Sequence, residues 1–310
     1  MRQTAIGIAL LVAGVGVACS GGDASSAATA AGSGVAASAV AATDAGTESA
    51  NVTFSFDGTF RQGGVVRGRA PAGTQRLMLG DTDISLTANG DFLIGFGRDH
   101  GPSANLVAHL GDGQQLREAL AIAPTDWRIE HVNASRRGGR SSADFQRRRA
   151  PEIAQIVAAR EVQSQTEGWR QDFLWPSTGR ISGVFGSQRV YRGEPGSYHG
   201  GVDIARPSGT PVVAPADGVV VLATETPFTL EGYLLIIDHG MGLNSAFLHL
   251  SRIDVSEGEH VQRGERIAAI GSSGRATGPH LHWGMKWGSE RIDPRFLAGP
   301  MPGMGGGGGN

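Results

Sequence analysis

The sequence predicts a mainly β protein in which two β-rich bodies are joined by a basic linker and a short helix. Three observations carry that prediction. Between Asn51 and Pro124, short runs alternate apolar and polar residues and are separated by Gly, Asp and Asn turns, so each run offers one face to a core. A second set of such runs follows Trp175 and continues to Ala298. The 310-residue chain also holds 49 glycines and only 6% aromatic residues, a composition of turns and connectors.

The elements follow in chain order. "MRQTAIGIALLVAGVGVACSGG" sets Arg2 before an apolar run from Ala5 to Val17, the layout of a secretory signal. The run falls short of the roughly 20 residues that span a bilayer. Cys19, the only cysteine, stands directly behind it and has no internal partner for a disulfide. "GVAC" resembles a bacterial lipobox, whose cysteine is lipidated, although Gly16 departs from the usual leucine. Residues 1–19 are therefore expected to be a lipoprotein-type signal peptide, with an ordinary peptide cleaved near Ala18 as the alternative. Residues 20–50, rich in Ala, Ser and Gly, show no apolar period and are expected to be a disordered tether.

Residues 51–124 read as a small β-sandwich with Ig-like strand spacing and no cluster of reactive side chains. His100 and His109 stand alone there and suit surface or packing roles. Residues 125–170 read as linker. Its basic stretch, "RRGGRSSADFQRRR" over 136–149, suits either a solvated connector or attraction to an anionic envelope polymer or lipid surface. Pro151 is expected to open a helix with Ile153, Ile156 and Val157 on one stripe. Residues 171–298 are β again, and 299–310 form a Gly-rich tail expected to be flexible. The net charge of −2 selects no polymeric partner by itself, and no nucleic-acid partner is expected.

The chemistry concentrates in the C-terminal body. Seven of nine histidines lie outside the sandwich region. His199 and Asp203 sit four apart in "YHGGVDIA", where two glycines disfavour a helix and imply a turn into a strand. His249 lies in "AFLHLS". His280 and His282 lie in "GPHLHW", where strand alternation puts both imidazoles on one face and Leu281 in the core. Three His/Asp ligands with a fourth position open is how catalytic zinc is held, and two further imidazoles would handle protons. No H-E-x-x-H helix motif occurs, so the base of a zinc hydrolase here would have to be a histidine.

"H-x-x-x-D", then "HLS", then "GPHLHW", in that order, resemble the M23 family of zinc metallopeptidases, the lysostaphin- or LytM-like peptidoglycan endopeptidases. The resemblance runs from about Trp175 to Phe296 and includes "GVFGSQR", "GTPVVAPADGVV", "DHG" and "GRATGPHLHW". It implies a compact antiparallel β-roll with one zinc ion in an open groove. It also implies that His199, Asp203 and His282 are the metal ligands and that His249 and His280 are the catalytic pair. Their division of labour stays open. Phe247 stands where many members carry tyrosine, which reads as packing. His239, His260 and His131 are expected outside the catalytic set, and Asp238 and Asp293 are expected to fix turns.

The implied activity is hydrolysis of peptide cross-links in bacterial peptidoglycan. The D-Ala to diaminopimelate bond is preferred over oligoglycine bridges, because Ser20 after the cysteine resembles lipoproteins sent to a Gram-negative outer membrane. The expected place is the cell envelope, facing the periplasm, with a lipid anchor on Cys19. The alternative within the family is a latent activator or binding partner of other cell-wall hydrolases. Such members have lost zinc ligands, whereas none is missing here. "APADGVV" and "GMKW" also resemble biotinyl or lipoyl carriers, but too little chain follows Lys286 for a second half-domain. A protein activator, and a ligand for the sandwich, are left unidentified by the sequence.

Overall fold

The computed structural model describes residues 53–135 and 142–303. The signal segment with Cys19, the tether and residues 304–310 lie outside the described residues. Among those described, no helix is long and apolar enough to cross a membrane.

Seven strands make the N-terminal body: β1 (Ser55–Gly58), β2 (Val65–Arg69), β3 (Thr74–Leu79), β4 (Thr82–Ile84), β5 (Asp91–Gly95), β6 (Ser103–Leu110) and β7 (Gln115–Ala121). They form two antiparallel sheets, in the orders β1–β2–β5 and β4–β3–β6–β7. Val66, Phe92 and Ile94 from the first sheet meet Leu77, Leu106 and Leu120 from the second in one core. The three-stranded sheet is buried on both faces. Its alternate residues, Val65 and Leu93, belong to the core of the C-terminal body, which explains why "DFLIG" of β5 reads as a continuous buried run. Arg67 fastens the junction by donating to the carbonyls of Trp169 (2.7 Å) and Gln171 (2.6 Å).

The linker carries more structure than its composition suggests. β8 (Ile129–Val132) lies in it and pairs in parallel with β10 (below), while Trp127 packs on Phe185 with ring centroids 5.6 Å apart. Helix α1 spans Ala143–Glu161, starting eight residues before Pro151, so the proline is internal rather than first. Ser142 caps it, its hydroxyl accepting from the Phe145 amide at 3.1 Å, which satisfies one of the free amides of the first turn. Pro151 costs the helix one backbone bond. The expected stripe is split: Ile156 is half-buried, whereas Ile153 (45% exposed) and Val157 (48%) face outward. The face turned inward is Arg149, Glu152, Ile156 and Ala159, spaced three and four apart. The basic stretch is therefore not simply a solvated connector: Arg149 is bound internally by Glu231 and Glu152, and residues 136–141 lie outside the described residues.

The C-terminal body contains β9 (Arg180–Gly183), β10 (Gln188–Tyr191), β11 (Glu194–Pro195), β12 (Val202–Ala205), β13 (Pro211–Val213) and β14 (Gly218–Ala223). It continues with β15 (Tyr233–Asp238), β16 (Leu243–Ile253), β17 (His260–Val261), β18 (Arg266–Ile270), β19 (His280–Trp287), β20 (Glu290–Ile292) and the one-turn α2 (Arg295–Ala298). Its main sheet is antiparallel in the order β17–β14–β15–β16–β19–β12–β9, with β18 joining β16 to β13. One face, including Phe247, Leu281 and Trp283, buries into the main core. On the other face α1 covers Ala246, Leu234 and Ile236. Each fully buried Leu, Ile or Phe contributes roughly 1.5–3 kcal/mol, so both faces of this sheet are held firmly under the site. The start of the tail is packed, not loose: Met301 is buried, and Trp175 donates from its indole to the Gly299 carbonyl at 3.0 Å.

Candidate metal and catalytic site

The register of three strands assembles most of the site. Asp203 of β12 is directly opposite His282 of β19 on one side and Gly183 of β9 on the other. Directly opposed residues on one face bring their Cβ atoms within about 5.5 Å. Trp283 and Leu281, alternating with the histidines, are fully buried. Gly183 is required by this closeness, since a Cβ there would lie 2.4 Å from Asp203 Oδ2 and 3.0 Å from His199 Cε1. His199 arrives from the loop before β12, pinned by backbone bonds of 2.8 Å to the Ser187 carbonyl and 2.9 Å from the Gly186 amide.

Three donor atoms converge. Asp203 Oδ1 lies 3.0 Å from His199 Nε2 and 2.8 Å from His282 Nδ1, and the two ring nitrogens are 3.1 Å apart. His199 Nδ1 donates to the Val184 carbonyl at 3.1 Å, so in the neutral ring Nε2 carries a lone pair. Two imidazole nitrogens and a carboxylate oxygen directed at one point form an electron-rich triangle that a cation completes. Ligands about 2.0–2.1 Å from a tetrahedral metal lie about 3.3 Å from one another, close to the spacings seen. His199, Asp203 and His282 therefore fit a metal of the zinc type.

The electrostatics agree. Burial would raise the Asp203 carboxyl, but the hydrogen bonds and charges of the two histidines hold it well below the usual carboxylate range. Burial would lower His199, but the Asp203 bond and charge outweigh it and raise the ring. Burial dominates at His282, which is lowered despite the same carboxylate. In the metal-free protein the Asp203 charge thus favours a proton on His199, which a metal must displace.

His249 and His280 form a separate pair, with ring centroids 4.8 Å apart. His249 Nδ1 donates to the Ser273 carbonyl (2.9 Å) and His280 Nδ1 to the Gly278 carbonyl (2.8 Å). Both bonds fix the proton on Nδ1 and leave Nε2 as the free acceptor. His280 Nε2 is 3.9 Å from Asp203 Oδ1, so it borders the ligand cluster. Burial, followed by the neighbouring His280 and His282, lowers His249 against the opposing Ser273 bond, keeping it neutral near pH 7. His249 has φ +63°, in the left-handed region. Before it, Leu243–Leu248 of β16 pair with β19; after it, Leu250–Ile253 pair with β18. His249 is the residue at which the strand changes partner.

The other expected residues stay apart. His239 is fully buried between the Asp217 carbonyl (2.8 Å) and the Ser245 hydroxyl (2.9 Å), and burial pushes it down to about 4. His260 and His131 are exposed. Asp238 accepts from Ser164 and Asp293 from Arg295, and Phe247 is in the core. Sequence reasoning missed Gly183 and the carbonyls of Val184, Ser273 and Gly278. It also missed the clamp in which Arg149 of α1 grips Glu231 in two bonds (2.6 and 2.7 Å) while Glu152 takes Thr229 at 2.7 Å. The Glu231 carbonyl accepts from the His249 amide at 2.8 Å, so the clamp ties α1 to the rim of the site. A 1320 Å³ cleft, with His199, Asp203, Tyr191, Tyr198 and Arg275 among its walls, adjoins the site.

Residues 197–294 match the model of Peptidase family M23, a span that contains His199, Asp203, His249, His280 and His282. Peptidoglycan DD-endopeptidase ShyA of Vibrio cholerae is 44% identical over 108 residues, 34% of this chain and 24% of that protein. DD-carboxypeptidase/endopeptidase Mpg of Neisseria meningitidis is 39% identical over 127 residues, 40% of this chain and 28% of that protein. Cell division protein DipM of Caulobacter vibrioides is 31% identical over 154 residues, 48% of this chain and 23% of that protein. The alignments thus span about a quarter of the length of these curated relatives. The crystal structure of a candidate M23 peptidase from Pseudomonas aeruginosa superposes with a TM-score of 0.60 at 26% identity, covering 78% of this chain and 96% of that one.

Proposed function

We propose that the chain is a zinc-dependent endopeptidase that hydrolyses peptide cross-links of bacterial peptidoglycan. The observation that carries this reading is the convergence of His199 Nε2, Asp203 Oδ1 and His282 Nδ1 within 2.8–3.1 Å, beside two imidazoles with free Nε2 atoms. The relatives named for peptidoglycan endopeptidase activity support the substrate class. Zinc, when bound, supplies Lewis acidity to a peptide carbonyl and to water. His199, Asp203 and His282 hold it. His249 and His280 move protons, each accepting at Nε2 and passing the proton on towards the leaving amine, while the carbonyls of Ser273 and Gly278 keep the rings in that tautomer. The wide cleft beside His199 accommodates an extended peptide. Cell-envelope location and a lipid anchor on Cys19 belong to the same proposal.

One observation favours a second reading, in which the site is latent until a partner acts. The Arg149–Glu231 clamp holds α1 against the loop that bears on His249. Digestion of purified peptidoglycan by the zinc-loaded protein lacking residues 1–19, read by mass spectrometry, separates the two. Cleaved stem peptides that vanish with a chelator and in His282→Ala establish the enzyme and name the bond. Intact cross-links, with zinc verified in the sample, reject constitutive activity and favour latency.

A further inference from the structure

On the face of the main sheet that bears the site, β19 presents His280, His282, Gly284 and Lys286 in a row. Gly284 leaves the strand bare between the metal ligand and the lysine. A 420 Å³ cavity opens over this gap, between the sheet and α1, and its lining includes His282, Gly284, Lys286, Arg291 and Arg160. Arg291 is opposite Lys286 on β20, and its guanidinium lies near the Tyr198 ring, 6.0 Å from the centroid. Gly200 makes room for it, since a Cβ there would be 3.1 Å from Arg291 Cδ.

Three cationic side chains therefore converge, with Arg291 at the exposed end, and among the described residues none of the three is within ion-pair or hydrogen-bond distance of a partner; the one carboxylate of the lining, Glu231, gives both oxygens to Arg149. Arg160 Nε is sealed from solvent with nothing to donate to. Lys286 does not engage Asn244, its neighbour across the β16–β19 pair, whose Oδ1 is also left without a partner. Arg149, the fourth cation of the lining, is committed to Glu231 and Glu152. Burial first, and then repulsion from Arg291, outweigh the charge of Glu231 and bring Arg160 down to about 10; burial and the two arginines likewise outweigh Glu290 and lower Lys286. Positive charge in excess of the one carboxylate already committed to Arg149 is unfavourable in such a cavity unless a further anion offsets it. Guanidinium groups match a carboxylate in shape as well as charge.

We propose that this cavity is a substrate subsite for a free carboxylate of the peptide stem, held by Arg160, Lys286 and Arg291. The inference rests on the peptidase reading above, because the cavity opens at His282 and its occupant is tethered to the peptide bound there. Lys286 is four strand residues from His282, about 13 Å between Cα atoms, a distance that a stem peptide spans with the lysine reaching back. Selection for a carboxylate over its amide then sits in the protein at a distance from the bond broken.

The test uses two probes, a cross-linked stem-peptide dimer with free diaminopimelate carboxylates and the same dimer fully amidated. Calorimetry measures their binding to the zinc-loaded chain carrying His249→Ala, which leaves the peptide uncut. Amidation is expected to weaken binding about 10- to 100-fold. In the same background, Lys286→Met, and separately Arg160→Met, are expected to reduce that preference to a few-fold, with zinc content and thermal unfolding verifying the fold. Equal binding of the two dimers, absence of binding by both, or a preference that survives both substitutions overturns the proposal. Inorganic phosphate is expected to compete with the free-acid dimer only weakly; tight phosphate binding without effect on the dimer reassigns the cavity to a free anion and also overturns it. Peptidoglycan digestion by the unsubstituted protein judges the enzyme reading separately: turnover without carboxylate preference rejects the subsite alone.

Discussion

Asp203 and His282 face each other across paired strands, whereas His249 stands at a break in β16 and His280 at the first residue of β19. The ligand cluster is thus placed by ladder register, with Gly183 as its close neighbour. The His249–His280 pair, proposed to handle protons, is placed by two backbone carbonyls, which set tautomer as well as position. The two halves share a groove yet depend on different parts of the fold. Under the proposed function, that separation predicts that metal affinity and turnover can be perturbed independently.

The largest effect tests the cluster. His282→Ala removes one of three donors and is expected to lose zinc, read by metal analysis, together with at least about 10³-fold in peptidoglycan hydrolysis. His249→Ala is expected to keep stoichiometric zinc and lose about 10²- to 10⁴-fold in turnover. Unchanged turnover would collapse the distinction between the halves.

A fifth imidazole, His239, supplies a control just beyond the end of β15. Its folded pKa is depressed to about 4 from an ordinary value near 6.5. Its stabilising contribution is therefore complete above about pH 6.5 and is lost as pH falls towards 4. At full extent this is worth about 3 kcal/mol. Thermal melts of the metal-free protein across this window are expected to show a steeper acid slope than those of His239→Gln, and equal slopes would reject the assignment. Smaller still, Gly183→Ala crowds Asp203 and His199 without touching the pair. It is expected to weaken zinc binding about 10- to 100-fold, with near-normal turnover at saturating metal.

The same contrast explains what could be read in advance. Strand alternation alone placed His280 and His282 on one face with Leu281 inside, whereas the ligand set was implied only by the resemblance that the order of the histidine segments carries. Gly183 was hidden because a close approach between β9 and β12 is a tertiary fact with no local pattern. β8 escaped because four residues, "IEHV", form a strand only through parallel pairing with β10, more than fifty residues later in the chain. α1 was started too late because Pro151 suits a first turn, while Ser142, the actual cap, lies next to a stretch of Gly and Arg. The apolar run of β5 was legible as strand, but not as one buried against two cores.

The positive φ of His249 bears on how this chain could be stabilised. A non-glycine residue in that region costs on the order of 1 kcal/mol, and asparagine tolerates it better than histidine. His249→Asn is expected to raise the stability of the protein by roughly that amount, read as a higher melting temperature, even as turnover disappears. Ranking substitutions by thermal stability alone would therefore favour discarding this side chain. If His249 serves the proposed reaction, any consensus or thermostabilising redesign must hold position 249 fixed against the conformational preference of the chain.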